Sequence, residues 1–391
     1  MSDLNAIYAQ MRSLVIFRDL LSDPVIQRFM NMLEAEDSVS FTATCADFEA
    51  GLYEVTDNWS DYLLHAVMNS ENVAVRMKAE GRTSDRIEET LRRELKVLGQ
   101  AASLTPSDFS LLSPAVFAGW NNSPCDLESV YEARLGEVAQ KGYGIFADYH
   151  VFTLSQAGLE PVAYPDPQRL SELPGYEPER KKIVANVQAL LEGKPAVNML
   201  LYGDAGTGKS STIKALANEY ADRGLRLVEV RKNQLYQIPS LLEHLASMPL
   251  KFMIFIDDLS FSSNDDNFAA LKAILEGSVS HPAGNTIIAA TSNRRHLVKE
   301  SVSDRFLDDL HENDTRQELL SLSARFGLIV TFQKPDRNRY LYIVQELVKE
   351  YGVEIEEEEL TSKAETYAIR AGGRSPRVAR QFVEQLKSGV L

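Results

Sequence analysis

The stretch MLLYGDAGTGKSSTIKALANEY, residues 199–220, decides how the rest of the chain is read. An apolar run enters an eight-residue G-x-x-x-x-G-K-S turn at 203–210, and a helical pattern leaves it, which is the strand, loop and helix setting that a phosphate-binding loop requires. Gly203, Gly206 and Gly208 let the backbone curl so that its N–H groups face a polyphosphate, and the positive end of the following helix attracts the same anion. The candidate cradle is therefore Gly203, Asp204, Ala205, Gly206, Thr207, Gly208, Lys209, Ser210 and Ser211. In such a loop Lys209 reaches the β- and γ-phosphates and the Ser210 hydroxyl faces Mg²⁺.

Two later apolar runs end in polar side chains. KFMIFIDDLSF, residues 251–261, drives a strand into Asp257 and Asp258. A buried strand ending in an acid, about fifty residues after the loop, is the usual second holder of the metal, so Asp257 joins Ser210 as a metal ligand. Asp258 is read either as the group that orients or deprotonates the attacking water, or as a solvated or helix-capping acid at a strand end. NTIIAATSN, residues 285–293, would bring Asn293 to the same sheet edge.

With NMLLYG, LRLVEV and GLIVTF, these runs alternate with helical stretches, which predicts a parallel sheet covered on both faces. After Pro335 the strands stop, and three helical patterns follow. Residues 1 to about 150 read as mostly helical, with Leu4, Ile7, Met11, Leu14 and Val15, and then Ile87, Leu91, Leu95 and Leu98, at helical spacing. A further helix is expected through LESVYEARLGEVAQ. Between the two regions, Pro161, Pro165, Pro167, Pro174 and Pro178 crowd a segment that suits a semi-rigid linker. The expected domains are 1–165, helical; 166–333, the phosphate-loop core; and 334–391, a helical lid.

Composition is ordinary for a soluble protein, with 44% apolar and 25% charged residues. The net charge of −15 is uneven. Residues 1–170 hold 13 Lys and Arg against 25 Asp and Glu, a net of −12, while the remainder holds 28 against 31, a net of −3. An acidic front half repels phosphate backbones and points to protein partners. No run approaches the roughly 20 apolar residues of a membrane span, and the first residues lack the pattern of a secretory leader. Cys45 and Cys125 are too few for a disulfide framework and too far apart for a zinc knuckle. A reducing cytoplasm is the expected compartment.

Together the motifs resemble those of the AAA+ ATPases, ring-forming phosphate-loop proteins, over residues from about 175 to the end. The resemblance implies an α/β fold, an AAA+ parallel five-stranded sheet core with a helical lid, preceded by a mostly helical N-terminal region. It also implies ATP and Mg²⁺ as ligands, makes GDAGTGKS the Walker A motif and FMIFIDD the Walker B motif, and makes Asn293 the sensor 1 residue. SLSARFGLIVTF, residues 321–332, is similar to the segment that carries the arginine finger, which implies that role for Arg325; Arg305 in SDRF is the rival. GGRSPRVAR, residues 372–380, is similar to the sensor 2 segment and implies Arg377, with Arg374 as the alternate. LPGYEPER is similar to the segment that walls the adenine, where Tyr176 either touches the base or packs under the next helix. GYEPER, IDDLSF, ATSNRRHLV and RSPRVARQFVE narrow the resemblance to an uncharacterised bacterial AAA+ branch known only as a domain of unknown function.

The resemblance implies an oligomeric ATPase that couples ATP turnover to remodelling or loading of a protein partner, recognised by the acidic N-terminal region. The alternatives are a nucleic-acid-associated loader or initiator, and a slowly hydrolysing ATP-dependent switch. Asp258 keeps the switch open, because a shorter Asp stands where the family's usual catalytic residue is Glu. The charged stretch 294–324, with its DDLHEND run, is expected to be a solvated loop or a partner-facing surface.

Overall fold

The computed structural model describes residues 2–109, 118–259, 271–275, 284–293 and 325–391. The chain divides into two compact units, Met1–Asp148 and Tyr149–Leu391.

Among its described residues the first unit is helical, with principal helices at Ser2–Arg12, Pro24–Glu34, Ser38–Tyr53, Trp59–Asn69, Val73–Ala79, Asp85–Ala102 and Leu127–Gly136. Side chains of Asp23, Asp37, Asn58, Asn72 and Asp126 accept from first-turn amides and start five of them. The core is aromatic: Phe29, Phe48, Trp59 and Trp120 pack ring against ring with centroids 4.3 to 5.3 Å apart. Both indoles are satisfied, Trp59 by Ala101 O and Trp120 by Leu104 O, each at 2.9 Å.

The first helix stops at Arg12, although the expected apolar pattern continues to Val15. Fully buried Glu94 explains the stop. Its carboxylate accepts the amides of Val15, Ile16 and Phe17 at 2.8, 3.0 and 3.1 Å, which gives those N–H groups partners outside a helix and leaves Val15 exposed.

The second unit is a seven-stranded sheet in the order β2-β1-β4-β5-β6-β3-β7, where the motifs predict five strands. The strands are β1 Val151–Ser155, β2 Gly158–Pro161, β3 Met199–Gly203, β4 Leu225–Glu229, β5 Lys251–Ile256, β6 Thr286–Ser292 and β7 Leu328–Phe332. β3 to β7 are the five expected strands, and all of their pairings are parallel. The two additional strands form an antiparallel hairpin, and β1 pairs in parallel with the outer edge of β4. This hairpin is why the unit begins at Tyr149, ahead of the boundary expected at 165. It also means that the start of the proline-rich segment belongs to the sheet. Pro161 is tolerated because it closes β2 on the sheet edge, where an amide donor is not needed.

The lid follows β7 as helices Arg337–Tyr351, Glu357–Arg370 and Pro376–Lys387, in the places expected. Its core, which includes Tyr340, Val344, Leu347, Ala364, Phe382 and Val383, is continuous with the apolar cluster under the sheet. Arg305 and the DDLHEND run lie outside the described residues.

Candidate functional site

The carboxyl ends of β3, β5 and β6 meet at one edge because their register leaves no freedom. Tyr202 pairs with Ser292 and Ile256 pairs with Ala290, so the next positions along set Gly203 near Asn293 and Asp257 near Thr291. The loop after β3 turns back through Gly203, Gly206 and Gly208 at φ of 140°, 76° and 88°. Only glycine reaches these angles without strain. At 203 the need is also steric, since a Cβ there would collide with the carbonyl of Phe332 on β7. Gly208 then starts the helix Lys209–Tyr220 with no side-chain cap, so its first-turn amides face the loop.

Lys209 is 5% exposed. Its Nζ donates to Gly203 O and Asp204 O, each at 2.8 Å, and to Asn293 Oδ1 at 3.0 Å. Burial pushes the lysine pKa below its ordinary value, while the carboxylates of Asp204, Asp257 and Asp258 oppose that shift. Ser210 Oγ donates to Asp257 Oδ1 at 2.7 Å. Asn293 completes the chain, because its Nδ2 donates to Asp258 Oδ1 at 2.9 Å.

Asp258 holds a left-handed backbone, φ 50°, and is the non-glycine residue with positive φ among those described. Its amide donates to Thr291 Oγ1 at 3.0 Å and to Asp257 Oδ1 at 3.1 Å. Thr291 Oγ1 in turn donates to Asp257 Oδ1 at 2.5 Å. The hydroxyl of Thr291, itself 1% exposed, thus sits between the two aspartates and sets both. Thr291 was not singled out in the sequence, although it stands two residues before Asn293 and strand alternation puts both on one face.

These groups line a cavity of about 480 Å³, within the roughly 300–1,000 Å³ of small-molecule sites. Lys209, Ser210, Ser211, Ala205 to Gly208, Asp257, Asp258 and Asn293 form one end, and Arg377 reaches it from the lid. The backbone N–H of Arg377 donates to Gly206 O at 3.2 Å. Arg374 is turned away into the lid, where its Nη2 pairs with Glu365 Oε2 at 2.7 Å. Gly203 and Asp204 frame the loop but do not appear on the cavity wall. Arg325 stands in the turn before β7 and is not part of this lining.

The cavity is also lined by Leu173, Pro174, Ile343 and Leu347, and by Gln168, Arg180 and Arg380. Tyr176 also lines it, yet the ring is 1% exposed. It stacks on Phe332 at 5.2 Å, lies under the Arg339 guanidinium at 4.9 Å, and donates its hydroxyl to Gln333 O at 2.6 Å. Arg380 escaped the sequence reading. It lies three residues beyond Arg377 on the same helix, a spacing that puts the two side chains on one face.

Residues 147–390 match the family described as "Protein of unknown function (DUF815)". The chain belongs to that family. Two curated relatives are the replication factor C large subunits of Staphylothermus marinus, 29% identical over 117 residues, and of Thermofilum pendens, 29% identical over 119 residues. The aligned stretch is 28% of this chain and spans 27% and 28% of those proteins. Among solved structures, the Thermotoga maritima RuvB Holliday junction branch migration motor aligns at 17% identity with a TM-score of 0.36, over 56% of this chain and 64% of that one. A threonine-to-valine variant of the same protein gives 0.38 over the same shares of the two chains. The family member described here has the arrangement that its motifs predicted, a mostly parallel sheet with the glycine-rich loop after β3, the paired aspartates after β5 and three helices after β7. Among its described residues no helix is long and apolar enough to cross a membrane.

Proposed function

We propose that this DUF815 family member binds and hydrolyses ATP. One observation carries the reading: Lys209, Ser210, Asp257, Asp258 and Asn293, from a loop and the ends of two further strands, converge on a single cavity whose lining also includes the apolar Leu173, Pro174, Ile343 and Leu347. The loop amides and Lys209 would hold the phosphates, and Leu173, Pro174, Ile343 and Leu347 would clasp the ring.

The oxygen donors of Ser210 and Asp257 are hard ligands of the kind Mg²⁺ takes, and they lie within 2.7 Å of each other. Magnesium bound there supplies neutralising charge to the phosphate oxygens. Asp258 accepts the proton of the attacking water, and Asn293 holds that carboxylate in place. Arg377, always charged, binds phosphate oxygens from the lid side. Arg325 would act on the nucleotide of a neighbouring copy, which makes the functional form an oligomer that works on a protein partner.

The direct test is ATP binding and turnover by the wild type, Lys209→Ala and Asp258→Asn. Loss of binding in the first and loss of turnover with retained binding in the second are expected. A wild type that binds no Mg-ATP at millimolar concentration would end this reading.

A second reading is a nucleic-acid-associated loader, favoured by the likeness of 28% of the chain to replication factor C large subunits. Binding to DNA that weakens steeply with salt would support it. The net charge of −12 over residues 1–170 weighs against it.

A further inference from the structure

The Asp204 carboxylate stands in a loop built for anions, where like charge opposes a polyphosphate. Its side chain has a different partner: Asp204 Oδ2 accepts the backbone N–H of Lys334 at 2.9 Å. Lys334 follows β7 and precedes the lid helix Arg337–Tyr351, so it belongs to the short connection between sheet and lid. The preceding residue is tied as well, because Gln333 O accepts from the Tyr176 hydroxyl.

Two further contacts hold the loop, one to β7 and one to the lid. Gly203 packs so closely on Phe332 that no Cβ fits, and Gly206 O accepts the amide of Arg377 at the start of the last lid helix. The phosphate loop therefore touches the connection through residue 204 and the arginine-bearing helix through residue 206, while residue 203 is fixed by its pairing with β7. Asp204 supplies the side-chain link of the three. The other two run through backbone atoms and glycines.

We infer that Asp204 is a positioning residue, whose carboxylate fixes the lid connection at Lys334 and thereby aims Arg377 at the phosphate end of the cavity. The role rests on the ATPase reading above. It predicts a split between binding and turnover. Asp204→Ala removes a negative charge beside the phosphates, so ATP affinity holds or tightens, while a lid that swings by about 1 Å lowers turnover by roughly tenfold or more. Asp204→Asn keeps an acceptor oxygen for the Lys334 amide and discards the charge, and it recovers most of that loss.

The experiment uses the full chain. Steady-state kcat and KM for Mg-ATP, binding of a fluorescent ATP analogue and amide hydrogen exchange are compared for wild type, Asp204→Ala and Asp204→Asn. The expected result is a lowered kcat without a raised KM in Asp204→Ala, rescue in Asp204→Asn, and faster exchange at 334–338 in Asp204→Ala alone. Equal defects in both variants would assign the effect to charge and overturn the inference, as would wild-type turnover in Asp204→Ala. If the wild type hydrolyses no ATP, the ATPase reading fails by itself, and exchange at 334–338 still decides whether Asp204 holds the lid connection. Should Asp204→Ala not fold, unchanged exchange at 334–338 in Asp204→Asn supports the hydrogen bond, and faster exchange there rejects it.

Discussion

Asn293 donates its Nδ2 hydrogen to Asp258 Oδ1 across 2.9 Å, while its Oδ1 accepts from Lys209. One amide thus orients the proposed base and steadies the lysine proposed to hold phosphate. Replacing it with alanine leaves Asp258 free to rotate. Asn293→Ala is expected to lower kcat by about 10²-fold, the scale of losing one preorganised donor, with a smaller change in ATP binding. Paired turnover and equilibrium-binding measurements check this; equal losses in both would place Asn293 in binding alone.

Thr291 offers a sharper dissection, since its hydroxyl accepts from the Asp258 amide and donates to Asp257. Thr291→Val conserves shape, removes the hydroxyl and leaves the Asp258 amide only its bond to Asp257 Oδ1, a defect of about 1 kcal/mol. Part of that should appear as lost kcat, because the left-handed turn at Asp258 depends on the bond. Thr291→Ser restores the hydroxyl and should restore turnover. A serine variant as slow as the valine variant would contradict the argument.

The contrast between Asn293 and Thr291 shows what could be read from the chain. Asn293 ends an apolar run, where a polar residue announces itself. Thr291 sits inside the run, β-branched and unremarkable in a strand, and its role exists only because register sets it beside Asp257. The strands β3 to β7 were legible for the same reason as Asn293: each is a continuous apolar run between helical patterns. The β1–β2 hairpin was not, because VFTLS and GLEP are short, flank a glycine turn and lead into prolines. What places them in the sheet is the open edge of β4, a long-range partner that local pattern does not encode. Glu94 was hidden likewise, as one acid among many on a charged helix.

Glu94 carries a prediction for the N-terminal unit. Its buried carboxylate serves three amides, so Glu94→Ala strands three donors at about 1 kcal/mol or more each. The variant should lose roughly 3–5 kcal/mol of local stability. Hydrogen exchange at Val15, Ile16 and Phe17 in the full chain reads this directly, and protection equal to wild type would refute it.

Burial pushes the Cys45 thiol up to about 12, with the Glu49 carboxylate adding to the shift. Only about one molecule in 10⁴ is then thiolate at pH 8, and the thiolate is the reactive form. Cys45 should resist alkylation in the native protein and react at once in urea, whereas half-buried Cys125 reacts in both. Mass-spectrometric mapping after a short iodoacetamide pulse distinguishes them.

Residues 166–174 form a strap that contributes Gln168, Glu172, Leu173 and Pro174 to the cavity lining, and three side chains clamp it. Asn218 Nδ2, from the helix after the phosphate loop, donates to Asp166 O at 2.7 Å and Gln168 O at 2.8 Å. Arg180 Nη2 donates to Leu173 O from the helix that follows the strap. Arg380, on the lid, donates through Nη2 to Glu172 O at 3.2 Å, and the Gln168 amide oxygen, turned toward it, accepts from the same guanidinium. Asn218 and Arg180 stand on the helices Lys209–Tyr220 and Glu177–Leu191, and Arg380 stands on the last lid helix. If the cavity takes a nucleotide as proposed, an opening of the lid would break the Arg380 bonds to the strap, so Arg380 is expected to slow nucleotide escape. A charge-assisted hydrogen bond of this kind is worth about 1.5–3 kcal/mol when buried, and less at a half-exposed arginine. Arg380→Ala should accelerate release of a fluorescent ADP analogue by about tenfold, corresponding to roughly 1.4 kcal/mol, with little change in its association rate. Stopped-flow displacement by excess ADP measures both rates, and an unchanged off-rate would mean that the strap is held by Asn218 and Arg180 without help from the lid.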